Sequence, residues 1–132
     1  MSFTKQTGRQ YPLVAMAEIS YADLTSGTAL EAIKLPGNSR VVSGQLIVTT
    51  AFNSATSDTI TVGDGGSAAR YKGSIDGQSA ALTALVPTGY KYTAPDTVDV
   101  TWTGVGTAPT AGAAVLIVEY VTDNRANEVV PN

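Results

Sequence analysis

The stretch TVDVTWT, residues 97–103, alternates without a break: Val98, Val100 and Trp102 fall on one face, Thr97, Asp99, Thr101 and Thr103 on the other. Successive side chains of an extended chain point to opposite faces, so this period of two marks a half-buried β-strand. The same reading extends in both directions. In residues 40–52, Val42, Leu46, Val48 and Phe52 form an inward stripe opposite Ser43, Gln45 and Thr49. Gly44 interrupts that stripe, as expected at a bulge or where two backbones approach closely. Residues 58–62 repeat the pattern with Ile60 and Val62 inward, and Gly63-Asp64-Gly65-Gly66 ends it with a turn.

Two segments are apolar on both faces. In residues 113–121, Val115, Ile117 and Val121 oppose Leu116, Val118 and Tyr120. Such a strand is expected in the middle of a sheet, covered on its second side by its own domain or by a partner. Residues 11–21 behave alike, with Leu13, Ala15, Ala17 and Ile19 on one side and Val14 and Met16 on the other, and Pro12 places this strand's start or edge. Shorter strands are expected at 29–35, stopped by Pro36-Gly37-Asn38, and at 89–93, stopped before Pro95. A helical turn is expected at most in 77–85 and 67–72.

Seven or eight short strands between Gly, Pro, Asn and Asp clusters predict an all-β chain, a β-sandwich of immunoglobulin-like or jelly-roll type with little helix. The 132 residues suit one domain. It is expected over 11–122, between an N-terminal arm at 1–10 and a C-terminal tail at 123–132, both polar and irregular. No internal repeat is present.

Composition narrows the function. Apolar residues make up 43% of the chain and charged residues 14%, against a usual charged share of about 25%, so a folded, sparingly charged domain is expected. A net charge of −3 and scattered basic residues argue against nucleic acid as a partner, which needs clustered Lys and Arg. Lys5 and Arg9 share a stretch free of acids, but two charges are too few for a phosphate-binding arm. The apolar run 113–118 is far shorter than the roughly 20 residues of a membrane helix, so no membrane partner is expected. The first twenty residues lack the charged, apolar and small-residue series of a secretory signal, and no export is expected.

The chain has no histidine and no cysteine. That removes Ser-His-Asp and Cys-His nucleophilic sites, disulfides and thiolate metal ligands. Carboxylate chemistry stays open through Asp96 with Asp99, or Asp58 with Asp64, as glycoside hydrolysis would use. The simpler reading is favoured: Asp58 and Asp96 each precede a Thr at a strand start, where Asp caps turns. The loop from Gly63 to Ser67 lacks the repeated acids and bidentate Glu of a calcium loop, and it lacks the Gly-Lys-Ser/Thr of a phosphate loop. No catalytic, cofactor-binding or metal-binding residues are therefore assigned, and no enzyme is expected. Tyr71, Tyr90 and Tyr92 are candidates for a sugar- or protein-binding surface, with core packing an equal reading for Tyr90 and Tyr92, while Trp102 belongs to the core.

The runs VVSGQLIVTTAFNSATSDTITVGD (41–64), YKYTAPDTVDVTWT (90–103) and AGAAVLIVEYV (111–121), with Tyr71 between the first two, resemble small virion structural proteins of tailed bacteriophages. The likeness covers most of residues 40–121. It implies a β-sandwich, often a jelly roll, that decorates or cements the capsid exterior or forms head fibres. It further implies a homo-oligomer, dimer or trimer, made in the host cytoplasm and resident on the virion surface. Its partner would be the major capsid protein. The alternative is a receptor- or carbohydrate-binding module of a tail or head fibre.

Overall fold

The computed structural model describes residues 11–123; the expected arm at 1–10 and all of the expected tail except Asp123 lie outside them. Nine strands form among the described residues: β1 (Leu13–Ser20), β2 (Ala29–Leu35), β3 (Ser39–Thr50), β4 (Ser57–Gly63), β5 (Lys72–Asp76), β6 (Leu82–Ala84), β7 (Lys91–Tyr92), β8 (Asp96–Val105) and β9 (Ala113–Thr122). One 3-10 turn, Tyr21–Asp23, follows β1. Asp23 holds it by accepting from the Ser20 amide at 2.8 Å and the Ser20 hydroxyl at 3.0 Å.

The strands build two antiparallel sheets, and the chain is a β-sandwich. Sheet A runs β1-β9-β3-β6, with β7 also on β3, and sheet B runs β2-β8-β4-β5. Setting aside the two-residue β7, eight strands remain in the orders 1-8-3-6 and 2-7-4-5, the arrangement of a jelly roll. The core lies between the sheets. Sheet A contributes Val41, Leu46, Val48, Leu116 and Val118; sheet B contributes Ile33, Ile60, Val62, Val98 and Val100. Each buried aliphatic side chain supplies about 1.5–3 kcal/mol of transfer free energy, and alternation delivers one every second residue.

Three local expectations are corrected. Val42 was expected inward, yet it is exposed and Val41 is buried. The pairing of β3 with β9 jumps from Val41↔Tyr120 to Ser43↔Glu119, so one extra residue on β3 reverses which face each parity serves. The close approach expected at Gly44 is present beside this bulge: a Cβ there would sit 2.7 Å from the Ile117 carbonyl oxygen and 2.8 Å from the Leu85 side chain. Neither helical candidate forms. Residues 67–72 make a turn leading into β5, and 77–85 make a turn followed by β6, because backbone pairing of Gln45, Leu46 and Ile47 with Ala84, Thr83 and Leu82 outweighs the weak helix preference of a short Ala-rich run.

Candidate interaction surface

The four carboxylates singled out from sequence occupy separate structural roles. Asp58, on β4, is buried and accepts from the Ser54 amide at 2.9 Å, the Ser54 hydroxyl at 2.6 Å, Gln78 Nε2 at 3.0 Å and Trp102 Nε1 at 2.8 Å. Burial pushes its carboxyl up, but the donors from Ser54, Gln78 and Trp102 together hold it below its ordinary value. Trp102 is in the core, as expected, with its ring stacked near Phe52 at 6.1 Å.

Asp64, directly after β4, is the second buried hub. Its Oδ1 accepts from the Gly66 and Ser67 amides, each at 2.9 Å, which closes the glycine-rich turn. Its Oδ2 accepts from Tyr92 at 2.9 Å, and Arg70 clasps both oxygens in a fork. Burial raises this carboxyl and the Arg70, Tyr92, Ser67 and Gly66 donors lower it, leaving it below its ordinary value. Every one of these donors comes from the chain itself, so the turn is filled from within.

Asp96 and Asp99 do not form a catalytic pair. They lie three residues apart on β8, so alternation turns them to opposite faces, and each is engaged locally: Asp96 by the Thr97 amide at 2.7 Å, Asp99 by the Thr97 hydroxyl at 2.6 Å. Burial raises the Asp99 carboxyl, and neighbouring Asp96, Glu31 and Asp64 add to the effect. Among the described residues, no group of three or more acidic side chains is placed to hold a metal ion.

The three tyrosines do not form a shared exposed surface. Tyr71 and Tyr92 are each 2% exposed, with their hydroxyls 2.5 Å apart and Tyr92 donating onward to Asp64. Burial pushes both phenols upward. Tyr90 is 43% exposed, but it packs edge-to-face with Tyr92, ring centroids 5.1 Å apart, and the Arg70 guanidinium lies 3.7 Å above its ring. One face of that ring is thus occupied by a cation of the same chain. Lys91, between them, pairs with Asp123 at 2.6 Å, and Arg40 reaches the same carboxylate at 3.2 Å.

Unsatisfied surface lies elsewhere, on the outer face of sheet A. The strand registers place three cross-strand rows there. Val14 opposes Glu119, Met16 opposes Ile117, and Glu18 opposes Val115; on the other side of β9, Ser43, Gln45 and Ile47 continue these rows, and Leu82 extends the last. Val14 is 63% exposed, Met16 62% and Leu82 56%, while Val115, Ile117 and Ile47 are half-buried. The outer face of an antiparallel sheet is ordinarily polar, and a contiguous apolar patch on it marks a contact site. The doubly apolar pattern of 11–21 and 113–121 announced this face; Leu82 was missed because its segment read as a helical turn. Glu119, bonded to the Ser43 hydroxyl at 2.9 Å, gives the patch a polar margin.

No protein-family model and no curated protein matches the chain. Solved structures do share its fold. A chain of the acid-stable capsid structure of Helicobacter pylori bacteriophage KHP30 superposes with a TM-score of 0.69 at 18% identity, over 89% of this chain and 93% of that one. A chain of the cyanophage Pam1 capsid asymmetric unit gives 0.67 at 20% identity, over 84% of each. A chain of the capsid of Ralstonia phage GP4 gives 0.63 at 20% identity, over 85% of this chain and 84% of that one.

Proposed function

We propose that this chain is a phage capsid decoration protein that binds the outer head surface across capsid subunits and stiffens the shell by contact, without catalysis. One observation carries the reading: three chains of similar length with the same sandwich belong to phage capsid structures, and the match spans nearly the whole chain in each comparison. The physics of the surface supports it. The buried polar side chains of the tyrosine and Asp58 clusters are satisfied internally, whereas an apolar sheet face stands open. A decorating protein needs a rigid core and an apolar face for its partner, here the major capsid protein. Its place is the virion surface, after synthesis in the host cytoplasm, and it acts as a homo-oligomer.

The experiment is a comparison of heads with and without the protein. Purified virions are expected to contain it, and heads lacking it are expected to lose their genome at lower temperature and lower chelator concentration. Heads that resist heat and chelator equally well in its absence would refute the reading. Deleting residues 1–10, or 124–132, is expected to weaken attachment to heads while leaving the sandwich folded.

A further inference from the structure

The two long outer strands on one side of the sandwich are built differently. β2, at the edge of sheet B, carries Glu31 and Lys34 and a register shift between Glu31 and Ile33. Charge and bulge are the devices that keep an edge from pairing with another chain. β1, at the edge of sheet A, has no bulge and half as many charges. It pairs with β9 residue for residue from Leu13 to Ser20 without a shift, and its eight residues include one charge, Glu18. No strand among the described residues pairs with its other side. Val14 and Met16, the two most exposed large apolar side chains of the described residues, both lie on it.

We infer that β1 is the self-association edge of this protein: two copies pair their β1 strands antiparallel about a two-fold axis through Met16, joining two A sheets into one. This names the interface of the homo-oligomer and rests on that part of the proposed function alone. Antiparallel strands place directly opposed side chains on the same face, so a two-fold perpendicular to the sheet pairs outer residues with outer residues. Centred on Met16, it sets Met16 against its own mate and Val14 against the other copy's Glu18. A shift that centred the axis on Glu18 would oppose two like charges, which is destabilising.

Charge also selects a second copy over a foreign strand. A shallow groove of about 370 Å³ opens between the β1 and β2 edges, lined by Ala17, Ile19 and Leu30 and rimmed by Glu18, Asp23 and Glu31. These acids flank the Ser20 end of β1. Antiparallel pairing brings the Leu13 end of the other β1 to that place, and the ten residues that lead into it carry Lys5 and Arg9 and no acid. The sequence preceding β1 is thus basic where the groove beside the partner's Ser20 end is acidic, and a two-fold makes the match of charges twice. The joined sheet turns both apolar outer faces to the same side, doubling the surface offered to a capsid.

The chain's lack of cysteine makes the test clean. Light scattering of the full chain is expected to give twice the 13.5 kDa protomer mass. Oxidised Met16→Cys is expected to run as a covalent dimer, and Val14→Cys with Glu18→Cys to cross-link at least fivefold more in mixture than either does alone. Met16→Lys, exposed in the protomer, is expected to leave the circular dichroism spectrum of the folded chain unchanged and raise the dissociation constant at least tenfold, and Lys5→Glu with Arg9→Glu to raise it about threefold. A monomeric or trimeric mass overturns the inference. So does a dimer that Met16→Lys leaves intact, or one lost on deleting residues 1–10 while Met16→Cys fails to cross-link, which would assign the edge to the arm instead. A dimer that is absent from virions sinks the capsid reading and leaves this one standing.

Discussion

Asp58→Asn offers the sharpest test of how the core is held. The substitution keeps shape and size but turns one accepting oxygen into a donor. In the native chain Oδ2 receives the Ser54 amide and Gln78 Nε2, and Oδ1 receives the Ser54 hydroxyl and Trp102 Nε1. With Asn keeping its oxygen toward Trp102, its amide faces the Ser54 N–H and Gln78, and both bonds are lost. A hydrogen bond to a charged group contributes about 1.5–3 kcal/mol, and a buried donor left without a partner costs about 1–3 kcal/mol. The expected loss is about 3–5 kcal/mol at neutral pH, out of a total of roughly 5–15 kcal/mol for a domain, with Tm falling by about 10–20 °C. Trp102, the chain's one tryptophan, donates directly to Asp58, so its fluorescence reports urea unfolding at the site itself.

The sign of the pH dependence follows from the direction of the shift. The folded-state pKa of Asp58 lies below its ordinary value of 3.8. Its contribution is therefore fully present above the ordinary carboxylate range and is lost as pH falls through the folded value. The gap between native protein and Asp58→Asn is expected to be widest at neutral pH and to close in acid below about pH 4. A variant within about 0.5 kcal/mol of the native chain, or a gap that stays constant into acid, would refute the reasoning.

Further expectations concern the second hub and the bulge region. Tyr92→Phe removes the hydroxyl that joins Tyr71 to Asp64 and is expected to cost about 1–3 kcal/mol by urea unfolding. Tyr71 and Tyr92 have phenols raised above their ordinary value of 10.0, so stability from their neutral forms is present below pH 10 and lost above it. Ultraviolet titration is expected to show these two of the six tyrosines ionising only as the protein unfolds; smooth ionisation of all six in the folded state would contradict the burial. Gly44→Ala drives a methyl against the Ile117 backbone oxygen and is expected to cost at least about 1–3 kcal/mol, whereas Val42→Thr, on the solvent side of the bulge, is expected to change stability by less than about 0.5 kcal/mol.

The sequence was most legible where one side chain's environment follows from its neighbours in the chain. Alternation located β4, β8 and β9 and put Trp102, Val98 and Val100 inside, because a strand's facing depends on parity alone. It failed at Val42 because a bulge changes parity and leaves no local mark beyond the nearby Gly44. Residues 77–85 misled for a related reason: β6 has three paired residues, held by β3 more than thirty positions earlier, and no short-range pattern contains that partner. The tyrosines show the same limit at the level of function. Tyr71, Tyr90 and Tyr92 read as contact candidates, the last two equally as packing residues, but the jelly-roll winding buries the Tyr71 and Tyr92 hydroxyls against each other and Asp64 and sets Arg70 over one face of the Tyr90 ring. The apolar outer face of sheet A was foreshadowed by the two-sided apolar pattern of β1 and β9; its continuation through Ile47 to Leu82 needed the registers.

The most direct test of the central claim is a cryo-electron microscopy reconstruction of phage heads carrying this protein. The account predicts density for the two-sheet sandwich on the head exterior, with the outer face of sheet A, from Val14 and Met16 across Ile117 to Leu82, against the capsid shell. Heads without such density, or with this face turned to solvent, would contradict it.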